Sequence, residues 1–263
     1  MTTTIKIVKY ELNDIVRSKW LLFYGVFFLL MTDALFRFGG NSAKVILSLM
    51  NVVLLIIPLM SIIFGVIYLY NAREFIEMML SQPIKRRELF SGLYAGLALP
   101  LCAGFVAGVL LPFALHGVND PSHVGTLGIL LVSGVFLTLI FLALAFLIAI
   151  HFEDRVKGLG AAIVTYLLFS VIYDGAVLFA AYLFSDYPME KPMIALSAFN
   201  PIDLARVLIM LKFDVAALMG YTGAVFERFF GGSGGIGISM VSLLLWATVP
   251  LWLGMRKFTK RDF

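Results

Sequence analysis

The sequence predicts an all-α integral membrane protein, one transmembrane domain over residues 1–263 with six membrane-spanning helices. Three observations carry that prediction. Hydrophobic residues make up 61% of the chain and charged ones 14%, where soluble domains sit near roughly one half and one quarter, so water alone is not its solvent. The mean hydropathy of +0.99 gathers into six apolar runs, each long enough for a bilayer core that needs about 20 helical residues. Lys and Arg, finally, are dense in alternate connections between those runs and sparse in the others.

The elements follow in chain order. In residues 1–19, Ile5, Val8, Leu12 and Ile15 recur at helical spacing, with Lys6, Lys9, Glu11, Asp14 and Arg17 elsewhere on the wheel. This predicts an amphipathic helix lying in the interface. Charges throughout it, and no small-residue cleavage pattern after the first run, argue against a removable signal peptide. Trp20 then sits at headgroup level. The spans are predicted at 20–36, 45–70, 92–115, 124–150, 158–184 and 236–255. Segments 1–19, 71–91, 151–157 and 256–263 hold 14 Lys and Arg, whereas 37–44, 116–123 and 185–235 hold 6. The positive-inside rule places the first set, and with it both termini, in the cytoplasm. The isoelectric point near 9.1 then reflects topology and anionic lipid. Nucleic acid would call for a clustered basic face with base-stacking aromatics, and the sequence has none.

Two connections are too structured to be plain loops. In 71–91, the stretch Asn71 to Leu80 reads as a short helix with Phe75, Met78 and Met79 on one side and Arg73, Glu74 and Glu77 toward solvent, stopped by Ser81-Gln82-Pro83. With Lys85, Arg86 and Arg87 following, it is either a lipid-facing connector or a knob for the groove of a soluble partner. In the 51-residue outer connection 185–235, Asn200-Pro201-Ile202-Asp203 is a helix start: an N-cap, proline at the first turn and an acid at the positive end of the dipole. A helix is expected from about Pro201 to Phe213, with Leu204, Leu208, Leu211 and Val215 on one face and Asp203 able to pair with Arg206. The stretch 215–230, interrupted by Gly220 and Gly223, reads as re-entrant or interfacial.

Catalytic signatures are missing. There is no GxxxxGK[ST] loop and no HExxH pair, and Gly232-Ser-Gly234-Gly-Ile-Gly237 follows no strand, so it reads as a hinge before the last span. The chain is expected to bind no cofactor or metal itself. Asp174, between Tyr173 and Gly175 in the fifth span, is an intramembrane carboxylate, the default mark of a functional place, against a simpler reading as a group hydrogen-bonded to a neighbouring helix. His116, Asp120 and His123 share one short outer connection, and Met189, Met193, Met210 and Met219 lie on the other. Soft donors there would suit copper, while solvated histidines and packing methionines are the plainer reading. The single cysteine, Cys102, reads as packing. Gly92, Gly96, Gly104 and Gly108 give the third span a small-residue face for a tight bundle or a dimer seam. Pro58, Pro100 and Pro112 are candidate kinks.

An amphipathic lead-in, six spans, a helix after the second span running into LSQPIKRRELFSG and helical segments before the last span together resemble the ABC-2 type transporter permeases, over the whole chain. Residues 10–20 (YELNDIVRSKW), 73–92 (REFIEMMLSQPIKRRELFSG) and 200–231 (NPIDLARVLIMLKFDVAALMGYTGAVFERFFG) narrow the resemblance to the Nos-type permeases of nitrous oxide reductase maturation. That resemblance implies a type V exporter-like fold in the bacterial inner membrane. It implies a homodimer bound to a cytoplasmic NosF-like ATPase, which holds the ATP and Mg, and to a periplasmic β-helical NosD-like protein, with a copper chaperone as a further partner. Carried over by position, Arg73, Glu74, Phe75, Glu77 and Met78 form the coupling helix seated in the ATPase. Asn200, Asp203, Arg206, Lys212 and Arg228 face the periplasmic partner. The cargo implied is copper or sulfur for a copper-sulfur centre. A permease for another cargo, a passive anchor for a periplasmic factor, and an intramembrane enzyme built on Asp174 or the histidines are the competing readings.

Overall fold

The computed structural model describes residues 7–8, 19–39, 41–117, 122–183, 196–211 and 233–260, and the regular structure there is helical throughout. The first two spans are α1 (Lys19–Gly39) and α2 (Ser42–Asn71), and the short α3 (Arg73–Leu80) follows α2 at once. The third and fourth spans are α4 (Arg86–His116) and α5 (Ser122–His151). The fifth is composite: α6 (Arg155–Leu167), a π-helical turn (Leu168–Ile172) and α7 (Tyr173–Leu183). Beyond it lie α8 (Pro201–Leu211) and the sixth span, α9 (Ser233–Lys260). Six helices among the described residues are long and apolar enough to cross a membrane, as the sequence predicts. In hydrocarbon a backbone must satisfy its own N–H and C=O groups, and a run of Leu, Ile, Val, Phe and Ala does so as helix.

The fourth span is the hub. Buried residues fill 61% of its most apolar stretch, against 11% for the fifth span, and it packs along α2 and α9 while also touching α4, α6 and α8. Between membrane helices lipid offers as much apolar contact as protein, so shape and hydrogen bonds decide the pairing. Aromatic edges supply the shape. Phe28, Phe105, Phe90 and Phe146 are fully buried, Phe28 meeting Phe105 across α1 and α4 and Phe90 meeting Phe146 across α4 and α5. Tyr94 and Tyr166 supply hydrogen bonds, their hydroxyls donating to the carbonyls of Leu139 (2.8 Å) and Leu55 (3.3 Å) on neighbouring spans.

The glycine face of the third span is used inside the chain. Gly25 of α1 meets Gly104 of α4 backbone to backbone, and a Cβ placed on Gly108 would fall 2.8 Å from both the Gly25 carbonyl oxygen and the Phe28 Cβ. These glycines seat the first span, so they serve the tight bundle and leave that face unavailable for a dimer seam. Gly92 is likewise covered, by Ile7. Ile7 is buried although it lies off the apolar face predicted for the lead-in, whose Ile5, Leu12 and Ile15 fall outside the described residues. Pro58, Pro100 and Pro112, together with Pro250, lie inside continuous helices. The Gly232 to Gly237 run is helical from Ser233 onward, the opening of α9 in place of the expected hinge.

Candidate functional site

Two places carry more polar chemistry than a membrane bundle requires, one at each end. The end rich in Lys and Arg, the basic end, presents α3. Eight residues are too few for a stable isolated helix, so α3 depends on what it rests upon. Its seat is Ile76, buried to 1% exposure, above a small cavity lined by Leu69, Tyr70, Ala149, Ile150 and Phe258 from α2, α5 and α9. Phe75 and Met79 are also packed partly against the core, so of the apolar side predicted for this helix only Met78 is exposed. Arg73, Glu74, Glu77 and Met78 form the exposed face. Arg73 and Glu77 approach to 3.7 Å, a solvent-exposed pair that contributes about 0–1 kcal/mol and leaves both charges accessible to another surface.

Behind α3, the Tyr70 hydroxyl donates to the carbonyls of Phe152 (2.9 Å) and Asp154 (3.2 Å), tying the end of the second span to the turn between the fourth and fifth. Asp154 caps α6, accepting from the N–H groups of Val156 (2.7 Å) and Lys157 (3.0 Å). Those bonds, that of Lys157 first, hold its carboxyl below its ordinary value. Arg86 Nη1 reaches the Thr259 carbonyl at 3.4 Å, joining the start of α4 to the end of α9. These bonds tie the ends of the second, third and sixth spans, and the turn between the fourth and fifth, together around the seat of α3. Sequence reasoning missed Ile76 and Tyr70, because nothing in an eight-residue periodicity says which side faces the bundle.

At the opposite end, α8 is built into the bundle. Asn200, fully buried, caps it as predicted: its Oδ1 accepts from the Ile202 N–H at 3.0 Å. Its Nδ2 donates to the Phe169 carbonyl (2.8 Å) inside the π-helical turn and to Asp203 Oδ2 (3.1 Å). A π-turn breaks the regular ladder, and Phe169 C=O serves the side chain of another element. Arg206 Nη1 donates to both Asp203 (2.9 Å) and Asp174 (3.1 Å), so the intramembrane carboxylate has a partner from α8. Burial first, then the charge of Asp174, push the Asp203 carboxyl up to about 6 against the opposing pull of Arg206. Tyr173 donates to the Leu196 carbonyl at 2.6 Å, and Trp246 Nε1 of α9 to that of Ala198 at 3.2 Å. Residues 196–211 therefore clamp the fifth and sixth spans together. Leu204 and Leu208 are buried against the spans, together with Ile202, Ala205 and Ile209, so the buried face is wider than the predicted leucine stripe.

Other predicted residues divide. His116 is the last residue of α4, not part of a loop, and its Nε2 contacts Asp33 Oδ1 at 2.8 Å while its ring stacks on Phe36. Asp33 also takes Arg37 at 2.7 Å. Asp120, the His123 side chain, Met189, Met193, Met219, Lys212, Arg228 and the 215–230 stretch lie outside the described residues; Met210 packs partly against the core. Among the described residues no three His, Cys, Asp or Glu side chains gather as a metal site.

Six spans, a short helix with a polar outer face seated across their basic end and a helical segment locked onto the far end define a permease. The chain belongs to the ABC-2 family of transporter proteins, whose family model matches residues 5–263. It is thus a transport component, the permease subunit of an ABC transporter. Its relatives narrow the class. A probable ABC transporter permease protein NosY of Pseudomonas aeruginosa is 25% identical, covering 94% of this chain and 92% of its own length. The protein of the same description from Stutzerimonas stutzeri is 23% identical, over 97% of this chain and 95% of its own.

Proposed function

We propose that this permease couples ATP hydrolysis by a cytoplasmic ABC ATPase, a NosF-like chain that holds the ATP and Mg, to transport or mechanical work on a periplasmic NosD-like partner. The observation that carries this is α3: a helix seated on the ends of the second, fourth and sixth spans through Ile76, with Arg73, Glu74, Glu77 and Met78 turned outward. A small helix with one methionine and three accessible charges suits a partner's groove, the methionine filling it and the charges setting register. Phe75 contributes by holding α3 against the core. The resemblance to the Nos-type permeases, which the description of two relatives as NosY permeases supports, assigns the work to copper-sulfur centre maturation of nitrous oxide reductase by a homodimeric permease in the inner membrane. The Lys and Arg distribution assigns both termini to the cytoplasm. The segment that carries Asn200, Asp203, Arg206, Lys212 and Arg228 is assigned to the periplasmic partner, with the fully buried Asn200 positioning it from within by capping α8 and not meeting the partner itself. Alternating access then takes the form of a two-state arrangement of the spans that both partners bias.

Glu77→Arg tests the docking. It places a cation where the partner meets a carboxylate, and the permease is expected to lose co-purification with a Walker-containing ATPase and to lose coupled hydrolysis. Full complex and full coupled hydrolysis in that variant would show that α3 is not the docking helix. Reductase maturation that survives an ATPase-dead partner would reduce the chain to a passive anchor, and normal maturation without the permease would point to another cargo.

A further inference from the structure

Where α9 leaves the membrane, its exposed stripe changes character along one face. Val249, Trp252 and Leu253 are exposed apolar residues, and Arg256, Lys257 and Lys260 continue the same i, i+3, i+4, i+7, i+8, i+11 series as cations. These cations, with Leu253, line a cleft of about 510 Å³ against Ile150, His151 and Glu153 at the end of α5. Arg256 is held 5.4 Å above the Trp252 ring, a cation-π contact that fixes the guanidinium at the level where an interfacial tryptophan sits. Lys257 Nζ lies 2.7 Å from His151 Nδ1. An ammonium can only donate, so that imidazole nitrogen accepts and the ring's own N–H is carried on Nε2. Apart from the Glu153 carboxylate, the polar side chains of the cleft are donors, three of them cationic.

We infer that this cleft binds the phosphodiester headgroup of an anionic glycerophospholipid, with an acyl chain lying along Val249 and Leu253. Three cations against one carboxylate leave the cleft with a surplus of two positive charges for a phosphate monoanion. A free phosphate would find the same donors, but only a lipid uses the exposed apolar half of the stripe, which continues from the cleft toward the membrane centre. Basic pockets between membrane helices at the headgroup level are suited to this chemistry, and each Lys or Arg near the surface contributes about fivefold in affinity for anionic lipid. The cleft adjoins the seat of α3, sharing Ile150 with the cavity beneath Ile76, and lipid binding there calls for no ATPase.

The test uses the full chain reconstituted in phosphatidylcholine vesicles with a rising fraction of phosphatidylglycerol carrying brominated acyl chains, which quench nearby tryptophan. Trp252→Phe, measured in parallel, gives the background from the other two tryptophans. Quenching of Trp252 is expected at a low phosphatidylglycerol fraction, with brominated phosphatidylcholine needed in large excess for the same effect. In K257Q/K260Q the preference is expected to fall about 25-fold, and in K260Q alone about fivefold, which serves if the double variant fails to insert. K157Q, a cation at the same end outside the cleft, is expected to match the parent. Equal quenching by the two lipids, or an unchanged preference in K260Q, overturns the proposal. Displacement of the lipid by millimolar glycerol phosphate also overturns it, assigning the cleft to a soluble phosphate. Both leaflets carry the lipid, so the outcome is independent of which end of the bundle is cytoplasmic.

Discussion

Replacing Arg206 by Gln removes one guanidinium from between two carboxylates, and the structure sets the size of the effect. Arg206 is 3.1 Å from Asp174 and 2.9 Å from Asp203, with side-chain exposures of 38, 27 and 15%. Breaking a fully buried pair costs about 3–5 kcal/mol and an exposed one about 0–1, so groups at intermediate exposure point to about 2 kcal/mol. For a chain of this size that is a fall of roughly 4–8 °C in Tm, measured in detergent at pH 7.5. The pH profile adds a sharper test. Burial, and then the charge of Asp174, push the Asp203 carboxyl up from its ordinary 3.8 to about 6, so the folded chain holds that proton more tightly than the unfolded one. The resulting stabilisation is complete below the ordinary value and is lost as pH rises through about 6. Arg206 is among the groups pulling the Asp203 value down. Without it the window moves upward, and R206Q should keep losing stability between about pH 6 and 8, where the parent is nearly flat. Asp203→Asn on the R206Q background should flatten that slope and recover part of the lost Tm. An R206Q protein with the parent's Tm at pH 7.5 and an unshifted profile would refute the clamp.

Three further outcomes follow from the packing. Gly108→Ala should cost about 1–3 kcal/mol, because its Cβ meets the Gly25 carbonyl and Phe28, while Gly125→Ala, with nothing within 4 Å, should be neutral or gain up to about 1 kcal/mol; thermal melts of the pair separate close approach from helix propensity. Asn200→Ala removes three hydrogen bonds from a fully buried side chain and should destabilise by about 2–4 kcal/mol, with hydrogen exchange rising first in α8. Tyr70→Phe should cost about 1 kcal/mol in stability and lower transport per ATP hydrolysed while the ATPase still co-purifies, since the docking face is untouched.

The spans were legible because the bilayer imposes a length and a composition that a sequence must display. The cap at Asn200-Pro201 was legible for a similar reason, as the local chemistry of a helix start is written in adjacent residues, and the i, i+3 pair of Asp203 with Arg206 came with it. Contacts across the fold were not. Asp174 stands 32 residues from Arg206, and no periodicity announces that an outer helix will supply its counter-charge. Phe75 and Ile76 are adjacent apolar residues on a helix of two turns, and only the position of the span ends decides that Ile76 is the seat. Spacing alone offered the glycines of the third span to either a neighbour or a second copy. The first span lies over them because Gly25 supplies a matching gap.

The π-helical turn at Leu168–Ile172 has a genetic consequence. Such a turn carries one residue more than the α-helix it interrupts, so losing a single codon there would let the fifth span close into regular helix. Everything beyond would rotate by about 100° and draw back by about 1.5 Å. Asp174 would swing away from Arg206, and the Phe169 carbonyl would turn away from Asn200. An in-frame deletion that leaves hydropathy and length almost untouched would thus unfasten the outer helix from the bundle. Such alleles are a natural place to look for permeases that insert normally and do no work.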